Sequence, residues 1–154
     1  MLRIIRDSRE QNGYTFSGFP DVTATTGTLA TGDYSLFGFT DKVAIERKEL
    51  SDLIACLSHD RDRFTRELER LRGFESAVVI VEAQYSDIQQ GRYRSHMNPE
   101  AAEQSIISIM ERYRLPFFFA GDRQTGESFA RDFIRHYHRH AIERYKALTD
   151  PIDK

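Results

Sequence analysis

The run Ala77-Val78-Val79-Ile80-Val81 limits what this chain can become more than any other segment. Five apolar residues in succession, bounded by charged or polar ones and without alternation, read as a strand covered on both faces. A strand of that kind needs a layer on each side, so it predicts the centre of a sheet between helices. Pro116-Phe117-Phe118-Phe119-Ala120 reads as a second buried strand. Asn98 as N-cap, Pro99 at the first helical position and Glu100 in an acidic first turn open a helix that should run to about Tyr113. In the segment 123–148 the pattern from about Gly126 to Leu148 predicts a long final helix with Phe129, Phe133, Tyr137 and Ile142 inward.

The first half reads differently. Residues 2–5 form a short strand that stops at Asp7-Ser8-Arg9-Glu10, and Asn12-Gly13 marks a turn. A loop rich in Gly, Thr and Ser follows. Gly32 then opens two strands, residues 33–37 and 42–47, around the turn-like Gly38-Phe39-Thr40-Asp41, which together predict a β-hairpin. Ser51 suits the N-cap of a helix beginning at Asp52, and a second helix is expected from about Asp60 to Arg72, with Phe64, Leu68 and Leu71 at helical spacing and Gly73 as its stop. Residues 84–97 read as a polar loop. Helices alternating with strands after a hairpin define an α/β fold, a mixed sheet flanked by helices on both faces. At 154 residues the chain suits one domain, 1–154, with a core of about 1–122 and the C-terminal helix beyond it.

Hydrophobic residues at 40% and charged residues at 30% are the balance of a globular protein. No stretch approaches the roughly 18 apolar residues of a membrane span, and charges at Arg3, Arg6 and Asp7 interrupt the place of a signal peptide's apolar region. The expectation is an intracellular, cytoplasmic protein with no membrane partner. A single cysteine, Cys56, cannot close an internal disulfide and sits in an apolar setting that suggests a buried side chain. The net charge of −2 excludes a global positive field, so any nucleic-acid affinity must be local. Arginine exceeds lysine 18 to 4. The planar guanidinium suits phosphate recognition, though codon bias accounts for the same skew.

The chemistry concentrates in Gly32-Asp33, in Glu46-Arg47-Lys48 and in Asp52. Strand side chains alternate, so Glu46 and Lys48 share a face and Arg47 takes the other. If the two hairpin strands pair, Asp33 comes close to Glu46 on that face. Phosphodiester hydrolysis needs a hard divalent cation, carboxylates to hold it and a group to position water. Asp33 and Glu46 are the natural metal ligands, a main-chain carbonyl at Arg47 can add a third oxygen, and Lys48 can orient water and stabilise developing charge. Mg²⁺ is the expected ion, with Mn²⁺ as substitute. A solvated Glu46–Lys48 ion pair on an edge strand explains the spacing equally well, so the motif alone does not decide.

Taken together, these residues resemble the G-D-X(n)-E-R-K-X(3)-D signature of the XPF family of structure-specific endonucleases. Asp7-Ser8-Arg9-Glu10 is similar to that family's opening D-X-R-E, Ser51-Asp52-Leu53-Ile54 to its S-D-L-I, Arg61 to an arginine nine residues past the motif Asp, and Val79-Ile80-Val81-Glu82 to a strand ending in Ile-Glu. The resemblance covers Asp7 to about Phe119. It implies a restriction-endonuclease-like fold, catalytic roles for Asp33, Glu46 and Lys48, and membership of Arg47, Asp52 and Asp7 in the same site. Further implied are DNA as partner, branched or with single-strand/duplex junctions, a role in DNA repair, recombination or phage DNA processing, and a homodimer through this domain. Family members often carry a tandem helix-hairpin-helix module after the nuclease domain, for which this sequence has no room, so the similarity is to stand-alone bacterial or phage-type domains. The alternative expectation is a catalytically silent DNA-binding or scaffold subunit.

Other residues carry two readings. Asp7 closes a turn or serves the site. Arg9 pairs with Glu10 or meets a phosphate. Arg47 is expected to hold strand to helix through Asp52 or Glu10. Arg61 is expected to contact DNA, whereas Arg63 reads as solvated surface. Arg92 and Arg94 around Tyr93 suit phosphate contacts with base stacking, or else a surface loop. His136, His138 and His140 lack a further ligand for zinc and, with Arg131, Arg135, Arg139 and Arg144, read as a basic helix face.

Overall fold

Apolar continuity in the second half is answered by the sheet itself. The computed structural model describes residues 1–152. In chain order the elements are β1 (Leu2–Asp7), β2 (Val22–Gly27), β3 (Tyr34–Leu36), β4 (Val43–Lys48), α1 (Leu50–Leu57), α2 (Arg61–Arg72), β5 (Ser76–Val81), α3 (Tyr85–Gln89), α4 (Pro99–Tyr113), β6 (Phe117–Phe119) and α5 (Arg123–Thr149). The six strands form one sheet in the order β2-β1-β3-β4-β5-β6. β3 runs antiparallel to both its neighbours, while β1 with β2, β4 with β5, and β5 with β6 are parallel. The sheet is therefore mixed. No helix among the described residues is long and apolar enough to cross a membrane.

Each face of the sheet carries its own core. Ala44, Val79, Val81 and Phe117 pack against Leu53, Phe64, Leu68 and Ile106, so α1, α2 and α4 cover one side. Val43, Ile45, Val78 and Ile80 meet Tyr14, Phe16, Ala130 and Ile134, so α5 and the segment after β1 cover the other. Alternation along β4 and β5 produces this division, since successive side chains leave the strand on opposite faces. At Gly126 a Cβ would lie 2.2 Å from the Tyr14 hydroxyl, so only glycine lets α5 pass this close to the aromatic cluster.

Several boundaries differ from the sequence expectation. The Gly/Thr/Ser-rich stretch holds β2, an edge strand whose side chains are exposed or half-buried throughout. Asp33 lies just before β3 rather than in it, and Lys48 rather than Arg47 ends β4. Helix α1 begins at Leu50 with Glu49 as its N-cap, not at Asp52 with Ser51, because the chain turns into helix as soon as it leaves β4. The polar 84–97 segment contains α3. Helix α5 starts at Arg123, where the Asp122 side chain accepts from the Thr125 N–H. Its buried face carries Gly126, Ala130, Ile134 and Tyr137, so Phe129 and Phe133 lie at the margin and Ile142 is exposed where the helix outruns the sheet.

Candidate active site

Gly32 sets the position of Asp33. Its φ of +84° is open to glycine, and a Cβ there would come within 3.1 Å of the Ala44 Cβ and 3.2 Å of the Ile45 carbonyl oxygen, so the chain can lie flat against β4. The Asp33 N–H then donates to the Ile45 carbonyl at 2.7 Å, and its carboxylate Oδ2 accepts from the Arg47 N–H at 2.8 Å. Two bonds thus fix the Asp33 carboxylate beside Glu46. Glu46 is buried, and its Oε1 lies 3.2 Å from Lys48 Nζ. Of the three residues expected to act together, Asp33 and Glu46 are neighbours and Lys48 lies against Glu46; Glu46 and Lys48 are on the α1/α2 side and Arg47 on the other.

Asp33 and Glu46 line one open cavity of about 430 Å³. Asp7 and Arg9 form its β1 wall, and Arg63, Glu67 and Arg70 of α2 form the facing wall. Desolvation raises the proton affinity of Asp33, and the charges of Glu46 and Glu10 raise it further. Desolvation likewise raises Glu46, with Lys48 opposing this and Glu67 adding to it. Burial alone would lower Lys48, but the carboxylates of Glu46 and Glu67 outweigh it, so the ammonium stays charged. Two desolvated carboxylates that repel one another, with all-oxygen donors, fit a hard divalent cation. The described residues hold no group of three or more His, Cys, Asp or Glu side chains in a metal-binding arrangement. Asp33 and Glu46 would therefore share the ion with water and main-chain oxygens, the kind of ligation Mg²⁺ prefers.

Asp7 is buried and serves as a local hub. Its carboxylate accepts from the Leu29 N–H at 2.9 Å and from Arg9 Nε at 3.0 Å. Although burial works against ionisation, the bonds from Arg9 and Leu29 hold the Asp7 carboxyl below the usual value. Arg9 thus pairs with Asp7, not with Glu10, and still leaves most of its side chain in solvent at the cavity mouth.

Arg47 enters a buried network on the α5 side. Its guanidinium meets Glu10 at 3.3 Å, Glu82 at 2.5 Å and Glu49 at 3.7 Å, with the Tyr14 ring beneath it. Of the two expected partners Glu10 is present and Asp52 is not: Asp52 is exposed in the first turn of α1. Glu49 and Glu82 complete the set instead.

The arginines expected to meet DNA are dispersed. Arg61 donates to the Leu57 carbonyl and Ser105 Oγ, both at 3.4 Å, in a separate cavity between α2 and α4. The cavity arginines on α2 are Arg63, expected from the sequence to be solvated surface, and Arg70, which like Glu67 was not singled out. Their i, i+4, i+7 spacing was the available signal. Arg92 and Arg94 are exposed and, with Leu50 and Ser51, line a groove, but the Tyr93 ring packs on the core with its hydroxyl donating to the Met97 carbonyl, so it is a wall and not a free stacking surface. The basic face of α5 is largely neutralised: Arg131 pairs with Asp132, Arg135 with Asp21 and Arg144 with Glu75.

A mixed six-stranded sheet with helices on both faces and a carboxylate–lysine cluster at β3 and β4 is the restriction-endonuclease-like architecture. Residues 6–133 match the ERCC4 domain model, and the chain belongs to that family of nuclease domains. Among solved structures the fold is similar to XPF from Aeropyrum pernix, with a TM-score of 0.72 at 21% identity over 94% of this chain and 70% of that one. It is also similar to XPF from Aeropyrum pernix in complex with DNA, with a TM-score of 0.67 at 20% identity over 90% of this chain and 66% of that one. The chain thus spans about two-thirds of these structures' length. No curated protein matches its sequence.

Proposed function

We propose that this chain is a Mg²⁺-dependent DNA endonuclease, Mn²⁺ substituting, in which Asp33 and Glu46 hold the metal and Lys48 acts on the attacking water. The observation that carries this reading is the convergence of Asp33 and Glu46 in one cavity with the Lys48 ammonium 3.2 Å from Glu46. The cation supplies charge that offsets the phosphate. Lys48 Nζ donates to the water and meets negative charge as it develops, while Arg9, Arg63 and Arg70 hold flanking phosphates. Asp7 keeps Arg9 in place, and Arg47 keeps β4 in register. The similar XPF from Aeropyrum pernix seen with DNA supports DNA as the substrate. Branched DNA or single-strand/duplex junctions, met in repair, recombination or phage DNA processing, are the substrates the family membership favours.

Lys48→Ala should lower the single-turnover cleavage rate by a factor on the order of 10² with little change in DNA affinity, because its contribution is made in the transition state. Cleavage at the wild-type rate with a lowered melting temperature would reduce Lys48 to an ion-pair partner. No cleavage of plasmid or branched DNA by the wild type in Mg²⁺, with DNA still bound, would favour a silent DNA-binding subunit.

Phosphate contacts release counterions, so DNA affinity should fall steeply with salt. Arg63→Ala with Arg70→Ala, and Arg92→Ala with Arg94→Ala, should each flatten a plot of log affinity against log salt by about one to two units of slope. Arg61→Ala, whose guanidinium is tied to α1 and α4, should alter it less. Unchanged slopes in both double variants would return these arginines to ordinary solvated surface.

A further inference from the structure

We infer that Glu67 of α2 is a positioning residue for Lys48, anchoring its ammonium behind the cavity wall, beside Glu46, when Glu46 turns its charge toward a bound cation. The inference rests on the proposed metal role of Asp33 and Glu46. Lys48 Nζ lies between two carboxylates, 3.2 Å from Glu46 Oε1 and 3.5 Å from Glu67 Oε2, and 5.4 Å from the centre of the Phe64 ring. Glu46 alone would have to serve both the metal and the ammonium. Two cations drawn to one buried carboxylate repel each other, so an ammonium with no other partner would compete with the metal for Glu46.

Glu67 removes that conflict from a different element. Phe64, one turn earlier on α2, is buried in the core and fixes the helix against β4. The Lys48 side chain is 12% exposed and that of Glu67 27%, so the pair is shielded well beyond an ordinary surface ion pair. Glu67 also lines the cavity, yet among the described residues its one salt bridge is to Lys48. Its charge is therefore available to Lys48 without being committed elsewhere.

The test is Mn²⁺ binding without DNA, read by electron paramagnetic resonance, in the wild type, Glu67→Gln, Lys48→Met and the double variant. Glu67→Gln should weaken Mn²⁺ binding about fivefold, because Lys48 falls back on Glu46, whereas the same change in the Lys48→Met background should have less than about a twofold effect. Glu67→Asp, with its charge retained one methylene short, should fall between wild type and Glu67→Gln. An equal loss in both backgrounds would make Glu67 a metal ligand and overturn the proposal. So would unchanged affinity in Glu67→Gln, alone or with a lowered melting temperature, a result that needs no other variant. Wild-type Mn²⁺ binding that is absent or indifferent to Asp33→Asn would overturn the metal site itself, and this role with it. Binding that depends on Asp33 but shows no coupling between Glu67 and Lys48 would overturn this role alone.

Discussion

On the proposed metal role, Asp33→Asn and Glu46→Gln should each lower cleavage in Mg²⁺ by a factor on the order of 10³ or more, because each would remove a ligand charge while keeping side-chain size. DNA affinity measured without metal should change little. On stability the same substitutions should act the opposite way. Burial and mutual repulsion raise the proton affinity of Asp33 in the folded state above its ordinary value of 3.8. A carboxyl so shifted favours folding fully at pH below its unfolded value, and that contribution is lost as pH rises through its folded value. Near neutral pH the metal-free Asp33 and Glu46 therefore weigh against the fold. Asp33→Asn should melt above the wild type in chelator, with a gap that widens as the pH is raised from about 4 toward 8. Saturating Mg²⁺ should narrow or reverse the gap, since on the proposed site it would bind only the folded wild type with both ligands. Wild-type turnover by either variant, or a gap that closes with rising pH in chelator, would contradict the site.

Arg47→Ala produces the largest expected loss of stability, about 3–5 kcal/mol, because it leaves buried carboxylates without their cation. The Arg47 side chain is 7% exposed, and those of Glu10 and Glu82 are 9% exposed. For a chain of this length that loss corresponds to a fall in melting temperature on the order of 10 °C. Arg47→Lys should recover part of it, since a point charge can neutralise the carboxylates without bridging several at once. A melting temperature within about 2 °C of wild type for Arg47→Ala would show that Glu10 and Glu82 find other partners. Urea denaturation of the three proteins decides the question, with the metal-free state used throughout.

β5 was legible as a strand covered on both faces because its continuous apolar run records that need directly, but the run did not place it: β5 lies one strand in from the edge, which β6 forms, and β3 and β4 hold the centre. The opposition of Arg47 to Glu46 and Lys48 was legible for a similar reason, as strand alternation is a property of the backbone. Strand β2 was not. Val22-Thr23-Ala24-Thr25-Thr26-Gly27 lies at an edge with no fully buried side chain, so it carries little hydrophobic signal. The α2 wall of the cavity was hidden for another reason. Phe64, Leu68 and Leu71 announce which side of α2 enters the core, but charged residues occupy the remaining surface, and only the docking of α2 against β4 selects Arg63, Glu67 and Arg70. The partners of Arg47 depend likewise on Glu10 and Glu82, 37 and 35 residues away in sequence.

The hairpin that carries the two carboxylates also separates the site from its own connecting loop. Asp33 stands at the entrance of β3 and Lys48 at the end of β4, whereas Gly38 to Asp41 close the ribbon at the opposite end. A Cβ on Gly38 would touch nothing within 4 Å, and Thr40 and Asp41 are exposed. Loop-closure entropy grows only by about 0.6 kcal/mol for each doubling of loop length. The Thr40-Asp41 tip is thus a natural port for inserted sequence, where an epitope or fluorophore can be grafted while the register that sets Asp33 against Glu46 is held by the strands.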